Sequence, residues 1–234
     1  MTDTLSDQLA QFRLGWHARV PEKSKRLMEA HIAHLAASHI AERAKQVGDR
    51  APQVRLPDQH GQPFDVADLL AKGPVIITFY RGGWCPFCNL ELKAYEALLP
   101  RIAAAGASLV AISPEKPDDT STTAEKNALT FPVLSDIGQG VGRAFGVVYA
   151  FTEEVRTVYE GFGLDVPAKN GAPGEWSLPL SATYVVAQDG VILFADTGVD
   201  YRERTDPLEV LQRLEHRAGV PAGTSSVMEG STGP

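Results

Sequence analysis

The chain has 234 residues, of which 44% are hydrophobic and 22% charged, and its net charge is −7. This length suits one large α/β domain with extensions, and the negative charge argues against nucleic acid as a partner, because phosphate backbones repel it. No apolar run reaches the roughly 20 residues that a transmembrane helix needs, so we expect no membrane partner. The N-terminus lacks a basic region followed by an apolar one, which predicts a cytoplasmic protein without a signal peptide.

The first 47 residues predict a helical extension. Leu5, Leu9 and Phe12 fall on one face of a first helix. A second helix is expected from about residue 24 to residue 47, with apolar residues at helical spacing: Leu27, Ile32, Leu35 and Ile40. Three histidines of this segment are interpreted as solvated or interface groups rather than metal ligands: His31, His34 and His39. The extension is expected to dock on the main domain or on a partner subunit.

The main domain is predicted to span residues 48–218. A continuous apolar, β-branched run over 75–80 indicates a strand buried on both faces, and a similar run follows over 108–112. A helix from about residue 85 to residue 105 lies between them, so this segment predicts a right-handed βαβ unit with a parallel strand pair. Shorter elements precede it: an edge strand over 53–56, a turn over 58–61 and a helix over 65–70.

The second half of the domain continues the alternation of helices and strands. Its predicted elements are a helix over 122–129, a strand over 131–134, a helix over 138–145, an excursion from the sheet over 147–180, a hairpin with strands over 183–187 and 191–195, and a helix over 207–216. This order is that of the thioredoxin fold, a three-layer α/β/α fold with a mixed central sheet. Residues 219–234 are rich in Gly, Ser, Thr and Pro, which predicts a disordered tail.

The chain contains two cysteines, Cys85 and Cys88, three positions apart. A structural disulfide stabilises mainly by closing a long loop of the unfolded chain, and this pair closes almost none. A zinc site needs about four ligands, and the sequence has no second cysteine pair. Redox chemistry by the sulfur atoms is therefore favoured over two small buried hydrophobes, with no metal and no organic cofactor implied.

The surroundings of the pair suit a reactive thiol. A thiolate attacks disulfides and peroxides far faster than a thiol does, and the free N–H groups of a helix N-terminus stabilise its negative charge. Gly82 and Gly83 break the preceding strand, and Pro86 falls in the first helical turn, where its missing N–H costs nothing. Arg81 adds a positive charge, and Trp84 is expected to shape the site.

The residues around the pair resemble two related families. Trp84-Cys85-x-x-Cys88 resembles the thioredoxin site, and Phe79-Tyr80 at the end of a strand resembles the AhpC/TSA peroxiredoxin family. Later segments resemble peroxiredoxins as well, and the likeness covers about residues 48–216. It implies a thiol peroxidase that reduces hydrogen peroxide or organic hydroperoxides through a Cys-x-x-Cys dithiol/disulfide cycle. A thioredoxin-type reductant and a homodimer are further expectations from the family, with Tyr80, Arg81, Gly83, Trp84 and Pro86 supporting the cysteines.

The two resemblances assign the first attack to different sulfur atoms. In the peroxiredoxin register Cys88 holds the peroxidatic position, Cys85 replaces a Thr or Ser, and Arg81 replaces a proline. In the thioredoxin register Cys85 attacks and Cys88 resolves. The family's arginine before the later strand is Ser181 here, and Arg202 or Arg204 is a candidate substitute. A thiol–disulfide oxidoreductase acting on protein disulfides and a non-catalytic redox sensor or interaction module are the alternative functions.

Overall fold

The computed structural model describes residues 4–217. Its helices are α1 (Leu5–Arg19), α2 (Glu22–Ala37), α3 (Ile40–Arg43), α4 (Ala67–Leu70), α5 (Pro86–Ala104), α6 (Pro117–Asn127), α7 (Gly140–Phe145), α8 (Glu153–Gly161), α9 (Val166–Lys169) and α10 (Pro207–Arg217). Its strands are β1 (Arg55–Pro57), β2 (Pro63–Asp65), β3 (Val75–Phe79), β4 (Ser108–Ser113), β5 (Val133–Ser135), β6 (Val148–Ala150), β7 (Ser177–Pro179), β8 (Thr183–Val186) and β9 (Ile192–Asp196). The tail predicted over 219–234 lies outside the described residues.

The central sheet has five strands in the order β5-β4-β3-β8-β9. Strands β3, β4 and β5 run parallel, whereas β8 is antiparallel to both β3 and β9. Every residue of β3, β5 and β8 is buried. Because alternate residues of a strand point to opposite faces, both faces of the sheet are covered. The predicted α/β class, mixed sheet and terminal hairpin are confirmed.

The segment over 147–180 leaves the central sheet, as predicted. Strands β6 and β7 pair with each other in a separate two-stranded sheet, with α8 and α9 between them in the chain. A second small sheet joins β1 to β2 around a turn at Asp58, whose carboxylate accepts the backbone N–H groups of His60 and Gln62.

Two predicted helix bounds are wrong. The helix expected over about 24–47 ends at Ala37, because His39 adopts a left-handed conformation (φ 56°) that no α-helix can continue through, and α3 then starts in a new direction. The helix expected from residue 122 begins at Pro117, since proline is well suited to the first turn, where no N–H is needed.

The two N-terminal helices pack on the rest of the chain. Helix α1 lies against α5, and α2 lies against α8. Leu5, Leu9, Met28 and Leu35 are buried in the same apolar cluster as the central sheet. The division of the chain into an extension over 1–47 and a domain over 48–218 stays a prediction. Within residues 4–217, no helix has the length and apolar character needed to cross a membrane.

Phe145 is expected to be a main determinant of stability. Its fully buried ring contacts the rings of Phe79 (5.1 Å between centroids) and Tyr184 (4.9 Å). Phe145→Ala should lower the free energy of unfolding by about 3–5 kcal/mol, through lost burial and the cavity left behind. Phe162, which is 42% exposed, is the matched control, and Phe162→Ala should cost less than about 1 kcal/mol. Urea unfolding of both variants measures the difference; similar losses would contradict the packing described.

Candidate active site

The two cysteines lie at the carboxyl end of the central strand β3, where the chain turns into α5. Cys85 is the N-cap residue of α5, Pro86 is the first helical residue, and Cys88 lies in the first turn. Both are free thiols, and Cys85 is 1% exposed and Cys88 0%. The pair is therefore held at a helix N-terminus inside the protein and not on its surface.

The turn that positions the pair depends on two glycines. Gly82 has φ +147°, and a Cβ there would overlap the Trp84 indole. A Cβ on Gly83 would overlap Oγ1 of Thr123 on α6. The Gly83 N–H donates to Glu115 Oε2 at 2.8 Å, and the Asn89 side-chain amide donates to the Gly83 carbonyl at 2.9 Å. Gly83 therefore allows a close approach of the backbone to α6 and to the buried carboxylate of Glu115.

Arg81 is buried beside Cys85. Its Nη1 lies 3.7 Å from Cys85 Sγ, and its guanidinium sits over the ring of Tyr201 at 4.0 Å, with Trp84 at 5.1 Å and Tyr159 at 5.7 Å. Aromatic faces attract a cation but do not neutralise its charge. In the described part of the chain no carboxylate forms an ion pair with Arg81.

A second arginine reaches the other sulfur atom. Arg204, from the segment after β9, places Nη2 3.6 Å from Cys88 Sγ and donates from Nε to Glu91 Oε2 at 2.7 Å. Arg202 turns away and pairs with Asp200 and Glu29. Of the two arginines considered from the sequence as substitutes at Ser181, Arg204 is therefore the one beside the cysteines.

The surroundings shift the pKa values of the two thiols in opposite directions. Burial raises the pKa of Cys85, but the hydrogen bond from the Cys88 thiol and the positive charges of Arg81 and Arg204 outweigh it and lower that pKa to about 6. Burial and the neighbouring Cys85 sulfur raise the pKa of Cys88 well above its ordinary value. These opposite shifts favour Cys85 over Cys88 as the sulfur that carries the negative charge of the reduced pair.

The N-terminal helices complete the enclosure of the site. Phe12 of α1 contacts the ring of Phe87 edge-on at 5.0 Å, and Phe87 contacts Tyr201 at 5.7 Å. His31 of α2 is buried against Tyr149 (5.4 Å between centroids), and burial followed by the charge of Arg81 lowers the pKa of His31 to about 4. His31 is thus neutral at pH 7.

Of the three N-terminal histidines, His34 and His39 are exposed and His31 is buried. Within residues 4–217 no group of three or more metal-ligating side chains comes together.

The remaining predicted residues lie around the pair in different roles. Tyr80 is fully buried directly after β3, and Trp84 contacts Tyr159 edge-on at 5.7 Å. Sequence reasoning missed Glu91, Glu115 and Tyr201. Glu91 carried a signal, because a charged residue stands three positions after Cys88 on the apolar side of a helix. Glu115 carried another, since it follows β4, whose carboxyl end adjoins that of β3.

Comparison with known proteins identifies the family of this chain. The model of the AhpC/TSA family matches residues 47–195. The chain belongs to the AhpC/TSA family. The putative peroxiredoxin Rv2521 of Mycobacterium tuberculosis is 32% identical over 152 residues, which span 65% of this chain and 85% of that protein. Peroxiredoxin Bcp of Escherichia coli is 33% identical over 102 residues, spanning 44% of this chain and 65% of that protein.

Solved structures agree with the AhpC/TSA assignment. Peroxidoxin BcpB from Mycobacterium tuberculosis matches with a TM-score of 0.58 at 25% identity, covering 73% of this chain and 97% of that one. A peroxiredoxin-like protein from Aquifex aeolicus has the same fold, with a TM-score of 0.58 at 16% identity over 74% of this chain and 88% of that one. The predicted family and thioredoxin-like fold are confirmed, and membership makes the chain a peroxiredoxin-type oxidoreductase.

Gly83 should tolerate no side chain. In Gly83→Ala the new methyl group meets Thr123 Oγ1, so the turn must shift and move Cys85 away from Arg81. We expect at least about a tenfold loss of thiol reactivity, because small displacements at a reacting group are costly. Thr123→Ala in the same chain should restore part of it. Gly161→Ala, where the methyl group meets open space, is the control. The rate of thiol alkylation measures the effect; full reactivity in Gly83→Ala would contradict it.

Proposed function

We propose that this AhpC/TSA member is a thiol peroxidase in which Cys85 attacks the peroxide and Cys88 resolves the product. One observation carries the proposal: the buried guanidinium of Arg81 lies 3.7 Å from Cys85 Sγ and has no carboxylate partner among residues 4–217. A buried charge without a partner is strongly disfavoured. A thiolate on Cys85 supplies that partner and is also the reactive form of the sulfur.

The proposed reaction cycle has three steps. The Cys85 thiolate attacks the terminal oxygen of ROOH, the O–O bond breaks, and the RO⁻ group leaves as ROH after taking a proton. Cys85 is then a sulfenic acid, oxidised by two electrons. The Cys88 sulfur displaces the sulfenic oxygen as water, forming a Cys85–Cys88 disulfide. A dithiol donor finally reduces this disulfide by exchange and becomes oxidised itself.

The enclosure of the site favours a small substrate in the first step. Both sulfur atoms are essentially unexposed, and Phe12 and Phe87 pack over the start of α5. Hydrogen peroxide and small organic hydroperoxides need less room than a protein disulfide does. For the step that oxidises the cysteine pair, this burial supports a peroxide over a protein disulfide as the substrate. A thioredoxin-type donor and a cytoplasmic location stay predictions.

Single-cysteine variants test the order of attack. Cys88→Ser should react with one equivalent of hydrogen peroxide and accumulate a sulfenic acid on Cys85, because the thiolate is intact and the resolving thiol is gone. Cys85→Ser should react at least about 100-fold more slowly, since burial, the largest cause of the raised Cys88 pKa, persists without the Cys85 sulfur and leaves little thiolate. Stopped-flow tryptophan fluorescence and mass spectrometry of the trapped sulfenate measure both. A rapidly formed sulfenate on Cys88 would overturn the assignment.

The pH dependence tests the contribution of Arg81. The pKa of Cys85 is lowered to about 6, so the reactive thiolate is present above pH 6 and is lost as the pH falls through that value. Arg81→Met should move the midpoint towards the ordinary thiol value of about 8.5, with about 30-fold less thiolate at pH 7. Arg156→Met is the matched control, because Arg156 also lies over an aromatic ring, Trp176, away from the cysteines. An unchanged midpoint in Arg81→Met would exclude this electrostatic contribution.

A further inference from the structure

Glu91 lies where it can decide which sulfur atom carries the charge. It stands three residues after Cys88 on the buried side of α5, and Arg204 bridges the two, with Nε on Glu91 Oε2 (2.7 Å) and Nη2 on Cys88 Sγ (3.6 Å). The ion pair is almost fully enclosed, with side-chain exposures of 1% for Arg204 and 2% for Glu91. Water screens such a pair little, so its charges act strongly on the adjacent sulfur.

The charges at the site favour a single thiolate. Among the groups that contact a sulfur atom or its arginine, Arg81 and Arg204 contribute two positive charges and Glu91 contributes one negative charge. Glu115, the other carboxylate near Cys88, accepts instead from the Gly83 N–H. One thiolate balances the remaining positive charge. That charge is on Arg81, beside Cys85, because Glu91 already neutralises the arginine beside Cys88.

We propose that Glu91 is a positioning residue that holds the negative charge of the redox pair on Cys85, by neutralising Arg204, the cation that contacts Cys88. This inference rests on the proposed function and deepens it, since it explains how a site with an arginine on each sulfur atom selects one nucleophile. Without Glu91, Arg204 becomes a buried cation whose nearest available anion is a Cys88 thiolate, and the charge moves towards that sulfur.

The other groups that face Glu91 are consistent with this role. Besides Arg204 and Cys88 they are Tyr95 of α5 and Asp196 of β9. Burial raises the pKa of Glu91 to about 7 against the lowering effect of Arg204, so the carboxylate is charged above pH 7 and neutral below it. The selection of Cys85 is therefore strongest on the alkaline side of neutrality. Glu115 also faces Cys88, and its charge disfavours a thiolate there as well.

The test is the titration of Cys88 in full-length protein that lacks Cys85. Glu91→Gln, made in the Cys85→Ser background, should lower the midpoint of Cys88 by about 1–2 pH units, because Arg204 is then uncompensated. Thiolate ultraviolet absorbance and the rate of iodoacetamide alkylation give the midpoint. In protein with both cysteines at pH 8, a limiting amount of iodoacetamide should label mainly Cys85, and Glu91→Gln should move the label towards Cys88. An unchanged midpoint, or unchanged labelling, overturns the proposal.

Two further variants separate charge from folding. Glu91→Gln with Arg204→Met replaces the ion pair by uncharged groups of similar size, and it should return the Cys88 midpoint to at least its value in Cys85→Ser. A midpoint that stays low in this variant overturns the proposal. Glu96→Gln is the matched control, because Glu96 is on the same helix and binds Thr130 instead of the cysteines; it should leave the midpoint unchanged, and an equal shift there overturns the proposal. If peroxide is not reduced but the midpoint moves as expected, the peroxidase assignment fails and the role of Glu91 stands.

Discussion

The contact between the Arg81 guanidinium and Cys85 Sγ is the interaction on which the rest of the site depends. Moving a guanidinium out of water costs several kcal/mol, and the protein recovers this only if an anion and suitable surroundings await the charge. The rings of Tyr201, Trp84 and Tyr159 surround Arg81. These rings are uncharged, so the anion that pairs with Arg81 is the sulfur of Cys85. Burial of Arg81 thereby couples the stability of the folded site to the charge of its nucleophile.

The segment after β9 and the N-terminal helices hold this contact in place together. Tyr201 and Arg204 come from that segment, which α1 and α2 fasten through the Arg13–Glu203 and Glu29–Arg202 ion pairs. The N-terminal helices therefore do more than add apolar surface, since they keep water away from both arginines. A lower local dielectric strengthens every electrostatic interaction at the cysteines.

The sequence patterns predicted those features that depend on residues close together in the chain. The apolar run of β3, the glycine turn and the position of Cys85 at a helix N-terminus all depend on neighbouring residues. The break at His39 was missed, because a left-handed residue other than glycine leaves almost no trace in apolar periodicity. Arg204 could be named only as one of two candidates, since its contact with Cys88 bridges 116 positions and depends on how the last segment folds back. Glu91 was missed for the same reason: its partner is distant in the chain.

The replacement of the family's arginine and the presence of a second cysteine together determine which charges the site has to balance. With Ser181 at the family position, a cation has to reach the cysteines from elsewhere. Arg81 comes from four residues before Cys85, and Arg204 from 116 residues after Cys88. Two cations beside two thiols would stabilise two thiolates, which repel each other at this separation. A buried carboxylate on one arginine removes that conflict, because it leaves charge for one thiolate and keeps the second sulfur protonated until it is needed. A carboxylate such as Glu91 is thus needed because two closely spaced thiols each have an arginine beside them.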